Sequence, residues 1–284
     1  MKLLITGSSG FIGNYFIHGY TDKYNIQTFS FLQNSINDLD LKSVSVIIHL
    51  SALVHQMGGA SADEYEKVNV TQTLALAKKA KASGVGHFIF MSTVKVYGEE
   101  TDDKYTENSV CHPEDEYGKS KLKAEKELLK LEDENFKISI IRTPIVYGYG
   151  VKANIKNLIN LVKKVPILPF GGIDNKRSMV YIGNLCHLVD VVIEQQKAGI
   201  FLASDDEPLS TSRLVELIAK NLGKKVYLIK IPFFESLLKV AKPSFHKRLY
   251  GSLEVDNTLT KEKLGLKNPY SVEEGIKLML NFEL

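Results

Sequence analysis

Between residues 116 and 121 the chain reads EYGKSK, which sets Tyr117 one helical turn ahead of Lys121. Residues at (i, i+4) share a helix face, so a phenol and an ammonium can point the same way. A free phenol titrates near pH ~10 and is a weak base at neutrality. A neighbouring cation favours the phenolate, and such a tyrosine can take a proton from a carbinol or return one. By itself this spacing also suits an exposed helix start. Upstream, FIFMSTVKVYG (88–98) ends an apolar run with Ser92 and Thr93, hydroxyls that could hydrogen-bond a reacting oxygen. Thr93 could equally be a β-branched residue closing a strand.

A second group lies at the amino end. Residues 5–13 read ITGSSGFIG, with Gly7, Gly10 and Gly13 between an apolar run and a helical pattern. In that context the first glycine allows a tight turn. The second lets backbone approach a pyrophosphate, and the third lets helix and strand pack. The helix amino terminus then offers N–H groups and a positive dipole end to phosphates. A dinucleotide held there would bring the cation of an oxidised nicotinamide to help depress the Tyr117 pKa. Lowering it by roughly 3 units needs about 4 kcal/mol of differential interaction. The second apolar run ends TFSFLQN, without the acid that holds ribose hydroxyls and without an arginine for a 2′-phosphate. The choice between NAD and NADP therefore stays open, with Asp38 as a later candidate near the adenine.

Only four arginines occur (Arg142, Arg177, Arg213, Arg248), against 32 lysines. Their planar forks suit phosphate better than lysine does. The net charge of +3 is too small to argue for nucleic acid. Cys111 and Cys186 are far apart and outside any metal spacing. The opening MKLLITG carries no signal sequence, and no apolar run approaches the length of a membrane span. These features together read as a cytoplasmic protein.

The elements that must position these residues alternate. Strands are predicted at 2–6, 26–31, 44–50, 87–92 and 137–142, with helices through residue 20 and at 63–83 and 117–135. That rhythm predicts an α/β fold with a doubly wound parallel sheet. Further helices are predicted at 154–164, 183–195 and 212–222, with a strand at 199–203. Residues 1–145, with contributions from about 177–203, form the expected dinucleotide-binding domain. Residues 146–284 form a smaller, interleaved substrate-binding region. The segment 230–251 is basic and apolar. It reads as a helix closing over substrate, broken at Pro243, in preference to a membrane contact. His49 is read as a packed strand residue, His55 as a cleft residue and Cys186 as core, and no metal site is expected.

TGSSGFIG, VIIHLSA (46–52), VNV (68–70), MSTVKVYG, YGKSK, RTPIVYGYGVKAN (142–154) and RSMVYIGNL (177–185), in that order, resemble the extended short-chain dehydrogenase/reductase family. The likeness is to its nucleotide-sugar epimerase and dehydratase branch. The resemblance implies that Tyr117 is the acid/base, that Lys121 orients the ribose and tunes Tyr117, and that Thr93 is the catalytic hydroxyl. It places Phe11 and Ile12 with the glycines at the cofactor, together with Leu50, Ser51, Ala52, Asn69, Ser92 and Pro144. Asn154 and Arg177 match positions that hold a nucleotide diphosphate, and Arg248 is a candidate substitute for an absent Arg-Pro-Gly-Asp motif. Two departures narrow the chemistry. The segment between the second and third strands is short. Val94 and Lys95 stand where 4,6-dehydratases of the family carry Asp and Glu, which argues against dehydration. What remains is NAD(P)-dependent oxidation and reduction at one carbinol, C4, of a nucleotide-diphosphate sugar, in cell-surface polysaccharide precursor synthesis. A 4-epimerase is the first reading and a 4-keto-sugar reductase fits the same residues, whereas Tyr117, Lys121 and Thr93 together weigh against the remaining alternative, a non-catalytic dinucleotide sensor. The resemblance also implies a homodimer formed through the helices at 63–83 and 117–135.

Overall fold

The computed structural model describes residues 1–54 and 60–281. Among the described residues, twelve strands run in chain order. They are β1 (Lys2–Thr6), β2 (Asn25–Phe29), β3 (Val46–His49), β4 (His87–Thr93), β5 (Lys104–Tyr105), β6 (Lys137–Thr143), β7 (Ile145–Tyr147), β8 (Ile167–Leu168), β9 (Met179–Tyr181), β10 (Gly199–Leu202), β11 (Tyr227–Leu228) and β12 (Glu254–Val255). Six of them make one parallel sheet in the order β2-β1-β3-β4-β6-β10. The other six form three short parallel pairs: β5 with β12, β7 with β9, and β8 with β11.

The sheet is covered on both faces, which is why its strands are apolar nearly throughout; every residue of β3 and β4 is buried. Alternation sorts the side chains. Leu3, Ile5, Val46, Ile48, Ile89 and Met91 enter one core, with the helices α1 (Phe11–Tyr20) and α6 (Ile182–Gln195). Leu4, Ile47, Phe88, Phe90, Ile138 and Ile140 enter the other, against Leu76, Ala77, Ala80, Ala124 and Leu128. Those five residues come from α3 (Gln72–Ala82) and α4 (Glu116–Leu129).

The first crossover runs from β1 to β2 and the next returns across β1 to β3, so direction reverses between β1 and β3. Open α/β sheets place ligands at the carboxyl ends of strands at such a reversal. The connection from β2 to β3 contains only a 3-10 turn, Ile36–Asp38, consistent with the short segment seen in the sequence.

Two predicted helices differ in detail. The one expected at 63–83 begins as α2 (Ala62–Tyr65), widens to a π segment over Glu66–Thr71 and resumes as α3. The one expected at 117–135 stops at Leu129, because Asp133 Oδ1 accepts from the N–H groups of Asn135 and Phe136 and turns the chain into β6. Beyond the sheet lie α5 (Ala153–Lys164), α7 (Thr211–Asn221), α8 (Phe234–Ala241) and α9 (Pro243–Tyr250). Pro243 opens α9, so the expected break falls there.

Candidate active site

The glycine turn is held by close backbone contacts. Gly7 has φ +70°, and a Cβ there would lie 2.8 Å from the Ser51 nitrogen and 2.9 Å from the Leu50 carbonyl carbon. A Cβ on Gly13 would lie 2.5 Å from the Gly7 oxygen. Any side chain at either position would push the turn away from the β3 end or from α1. Gly10 is exposed and caps α1 without a side-chain bond, and no acid sits in the first helical turn. Phe11 and Ile12 pack their side chains against the first core, so what they offer is backbone N–H.

Buried polar contacts fix the strand ends behind this turn. The Thr6 hydroxyl is 2.7 Å from His49 Nδ1, and His49 Nε2 is 2.8 Å from the Thr73 hydroxyl. Ser51 N–H donates to Thr6 Oγ1. Burial pushes the His49 imidazole down to about 3, so it is neutral and structural. His55 lies outside the described residues.

Asn69 sits in the π segment, a geometry frequent at functional sites. It is 0% exposed. Its Oδ1 accepts from Leu53 N–H, and its Nδ2 donates to Leu53 O and Ser120 Oγ. The residue expected to line a cofactor is therefore inside, and its influence runs through the Leu50–Leu53 segment that it pins beside the glycine turn.

Tyr117 lies in the first turn of α4, which Asp115 caps by accepting from Gly118 N–H at 2.7 Å. A Cβ on Gly118 would meet the Lys95 oxygen at 2.8 Å, so glycine lets this helix start press against the turn after β4. Tyr117, Thr93 and Pro144 line one cavity of about 250 Å³ with Lys95, Glu99 and Arg177. Thr93 Oγ1 accepts from Lys95 N–H at 3.2 Å, which leaves its own proton available to donate. Lys95, unremarkable in the sequence except as a departure, is held between Glu99 at 2.5 Å and Asp115 at 2.7 Å.

The electrostatics differ from the sequence expectation. Burial first, then Asp115 and Tyr65, push the Tyr117 phenol above its usual value. Lys121 is 2% exposed. Burial brings its ammonium down to about 7, with Glu125 pulling the other way. Its hydrogen bond among the described residues goes to Met91 O at 2.9 Å, and the ammonium lies 4.4 Å from the Phe90 ring centre. An ammonium has three donors. A buried one with a single hydrogen bond suits further acceptors such as ribose hydroxyls.

Ser92, expected at the cofactor, gives its hydroxyl to Glu125. Glu125 also binds Arg142 Nη2 at 2.6 Å, and Arg142 Nη1 donates to Tyr97 Oη at 2.7 Å. This buried network lies beneath the strand ends. The scarce Arg142 is thus bound to Glu125 and Tyr97, whereas the other two scarce arginines expected at the substrate line a cavity.

That second cavity, about 380 Å³, is lined by Asn154, Arg177 and Arg248 together with largely apolar side chains, including Leu158, Phe170 and Leu249. Ile145 and Arg177 belong to both cavities, so the two are contiguous. Arg177 Nη1 donates to the carbonyls of Lys247 and Gly251, which ties it to the α9 end. Asp38 stands exposed on its 3-10 turn, and neither cavity includes it.

A family model described as the NAD dependent epimerase/dehydratase family matches residues 3–202. The chain belongs to that family. Among relatives within or near it, a UDP-glucose 4-epimerase of Vibrio cholerae is 38% identical over 97% of this chain and 93% of its own length. An N-acetyl-alpha-D-glucosaminyl-diphospho-ditrans,octacis-undecaprenol 4-epimerase of Escherichia coli O157:H7 is 24% identical over 99% of this chain and 95% of its own. In fold, the chain resembles a Bacillus cereus UDP-glucuronic acid 4-epimerase solved with NAD, at TM-score 0.78 and 20% identity over 98% of this chain and 97% of that one. The NAD dependent epimerase/dehydratase family thus accounts for the doubly wound sheet, the glycine turn and the strand-end cavity together.

Proposed function

We propose that this chain is an NAD-dependent 4-epimerase of a nucleotide-diphosphate sugar serving glycan synthesis. The observation that carries the reading is the contiguity of two cavities. One holds Thr93 and Tyr117 at the sheet's carboxyl edge, and the other holds Asn154 and two arginines. The first suits a sugar ring and the second a nucleoside diphosphate. The residues fit NAD: a tight glycine turn with an uncapped helix start, and a buried ammonium with donors to spare. NAD, when bound, takes and returns the hydride of a sugar carbinol.

The protein's own groups handle the proton and the orientation. Thr93 donates to the C4 oxygen and holds it against Tyr117. Tyr117 Oη accepts the hydroxyl proton as the carbinol is oxidised and returns it after the keto-sugar has turned its other face. Lys121, with nearby acceptors supplied by ribose, stays charged and favours the phenolate. Arg177 and Arg248 hold the diphosphate while the sugar turns. Asp38 is retained as a contact for the adenosine end.

The Vibrio cholerae relative supports a UDP-sugar. A second reading, a sugar diphosphate carried on a polyprenol as for the Escherichia coli relative, is favoured by the apolar lining of the larger cavity. A homodimer through the α2–α3 and α4 helices, a cytoplasmic location and a division near residue 145 belong to the same reading.

The test uses purified protein without added coenzyme. Interconversion of UDP-glucose and UDP-galactose, or of the corresponding N-acetylated or polyprenol-linked pairs, is expected, with NAD released on denaturation. Tyr117→Phe should lower turnover by about 10²–10⁴-fold while NAD is retained. Stoichiometric consumption of added NADH with a 4-keto-sugar, and no epimer, would replace the reading by a reductase. Neither turnover nor binding of any of these sugars would favour the sensor.

A further inference from the structure

The pair α8–α9 is amphipathic on the wrong side. Helix α8 contributes no buried residue and α9 contributes only Leu249. Yet Phe233 is 86% exposed, Leu237 64% and Val240 84%. Leu237 and Val240 share one face of α8, and Phe233, the cap whose carbonyl accepts from Leu237 N–H, stands at the start of that face. Ile229 and Ile231 are exposed just before them. Single exposed apolar residues are ordinary, whereas a contiguous stripe marks an interaction surface. Phe233 also holds φ +62°, in the left-handed region that disfavours a bulky side chain. The chain accepts that conformation with the ring in solvent.

Charge indicates what the stripe meets. Residues 223–250 carry six lysines and Arg248 against Glu235 alone, a net +6. The whole chain carries +3, so the remaining residues carry −3. Lys230, Lys239 and Lys242 flank the stripe and are exposed. A second copy packed twofold on this face would set Lys230, Lys239 and Lys242 against the same three lysines, which like-charge repulsion opposes. An apolar stripe rimmed by lysines fits an interfacial helix lying on anionic lipid.

We propose that the exposed face of α8 docks on an anionic lipid bilayer. Phe233, Leu237 and Val240 enter the boundary between headgroups and acyl chains, and the flanking lysines meet lipid phosphates. Helix α9 continues from this face into the wall of the larger cavity through Phe245, Arg248 and Leu249. Docking therefore sets that cavity beside the lipid plane. The inference goes beyond the reaction proposed above and does not depend on it.

The experiment is flotation of the full chain with phosphatidylcholine vesicles, with and without phosphatidylglycerol. Binding is expected only with the anionic lipid, and it should weaken as salt rises. A Phe233→Ser/Leu237→Ser/Val240→Ser variant and a Lys230→Glu/Lys239→Glu variant should each lower the bound fraction about tenfold or more. Melting temperature and NAD affinity should not change, because these side chains are exposed and outside both cavities. No binding to anionic vesicles at low salt would overturn the proposal, as would binding by either variant equal to that of the wild-type chain. A dimer in free solution that the serine variant splits would also overturn it, because a second copy would then cover the stripe.

Discussion

At the scale of single residues, Tyr117 and Lys121 show how far a spacing can be trusted. Their helical separation was legible because a period of 3.6 is fixed by the backbone, and both fall on α4 as expected. The sign of their electrostatics was not legible. Which groups are desolvated, and that Asp115 stands near the phenol, depends on how α4 meets β4. In the protein alone, burial disfavours both charged forms: the phenol is raised and the ammonium brought down to about 7. A lysine with a folded pKa near 7 and an unfolded value of 10.5 binds its proton less tightly when folded. Its cost to stability is complete below pH 7, shrinks as pH rises and vanishes above 10.5. Lys121→Met is therefore expected to melt higher than wild type at pH 6 in the cofactor-free protein, with most of that advantage gone at pH 10. The ceiling is about 5 kcal/mol, less the lost bond to Met91 O. Equal melting shifts at both pH values would contradict this origin of the Lys121 shift.

At the scale of elements, the β1–glycine–α1 unit, the strand ends and the Pro243 break followed from pattern alone. Polar fastenings between elements did not. Asn69 and Ser92 were expected at the cofactor, yet they bond to Leu53, Ser120 and Glu125, residues far from them in sequence. The Glu125–Arg142 pair was missed for the same reason: β6 and α4 must fold before it exists. Asn69→Ala leaves the Leu53 N–H and carbonyl without their partner. It should cost about 2–3 kcal/mol in urea unfolding and weaken NAD binding, because the segment beside Gly7 loosens. Unchanged NAD affinity in a destabilised variant would limit Asn69 to stability.

At the scale of the whole molecule, two histidines neutral inside the sheet set an acid limit. Burial holds His49 near 3 and His87 near 4, against 6.5 when unfolded. Between those values the unfolded chain carries protons that the folded chain refuses, so stability falls as pH falls from 6.5. With both groups acting, the slope approaches about 2.7 kcal/mol per pH unit. Urea midpoints at pH 7, 5.5 and 4.5 should decline steeply, and His87→Asn should flatten the decline. Stability constant over that window would show that neither histidine limits the fold. The doubly wound sheet was legible from alternating strands and helices. The helices expected at 154–164 and 212–222 were legible too, as α5 and α7, whereas the short strand pairs outside the sheet are two or three residues long and carry no periodicity to read.

Ile145 and Arg177 are walls common to both hollows, and this constrains retooling of the protein. On the proposed assignment of the diphosphate to the larger cavity and the sugar to the smaller, substitutions around Phe170 or Leu158 should change which activating group is accepted, and those around Val54 or Thr143 which pyranose is. A change at the party wall alters both preferences together, so laboratory evolution toward a new donor should reach position 177 last.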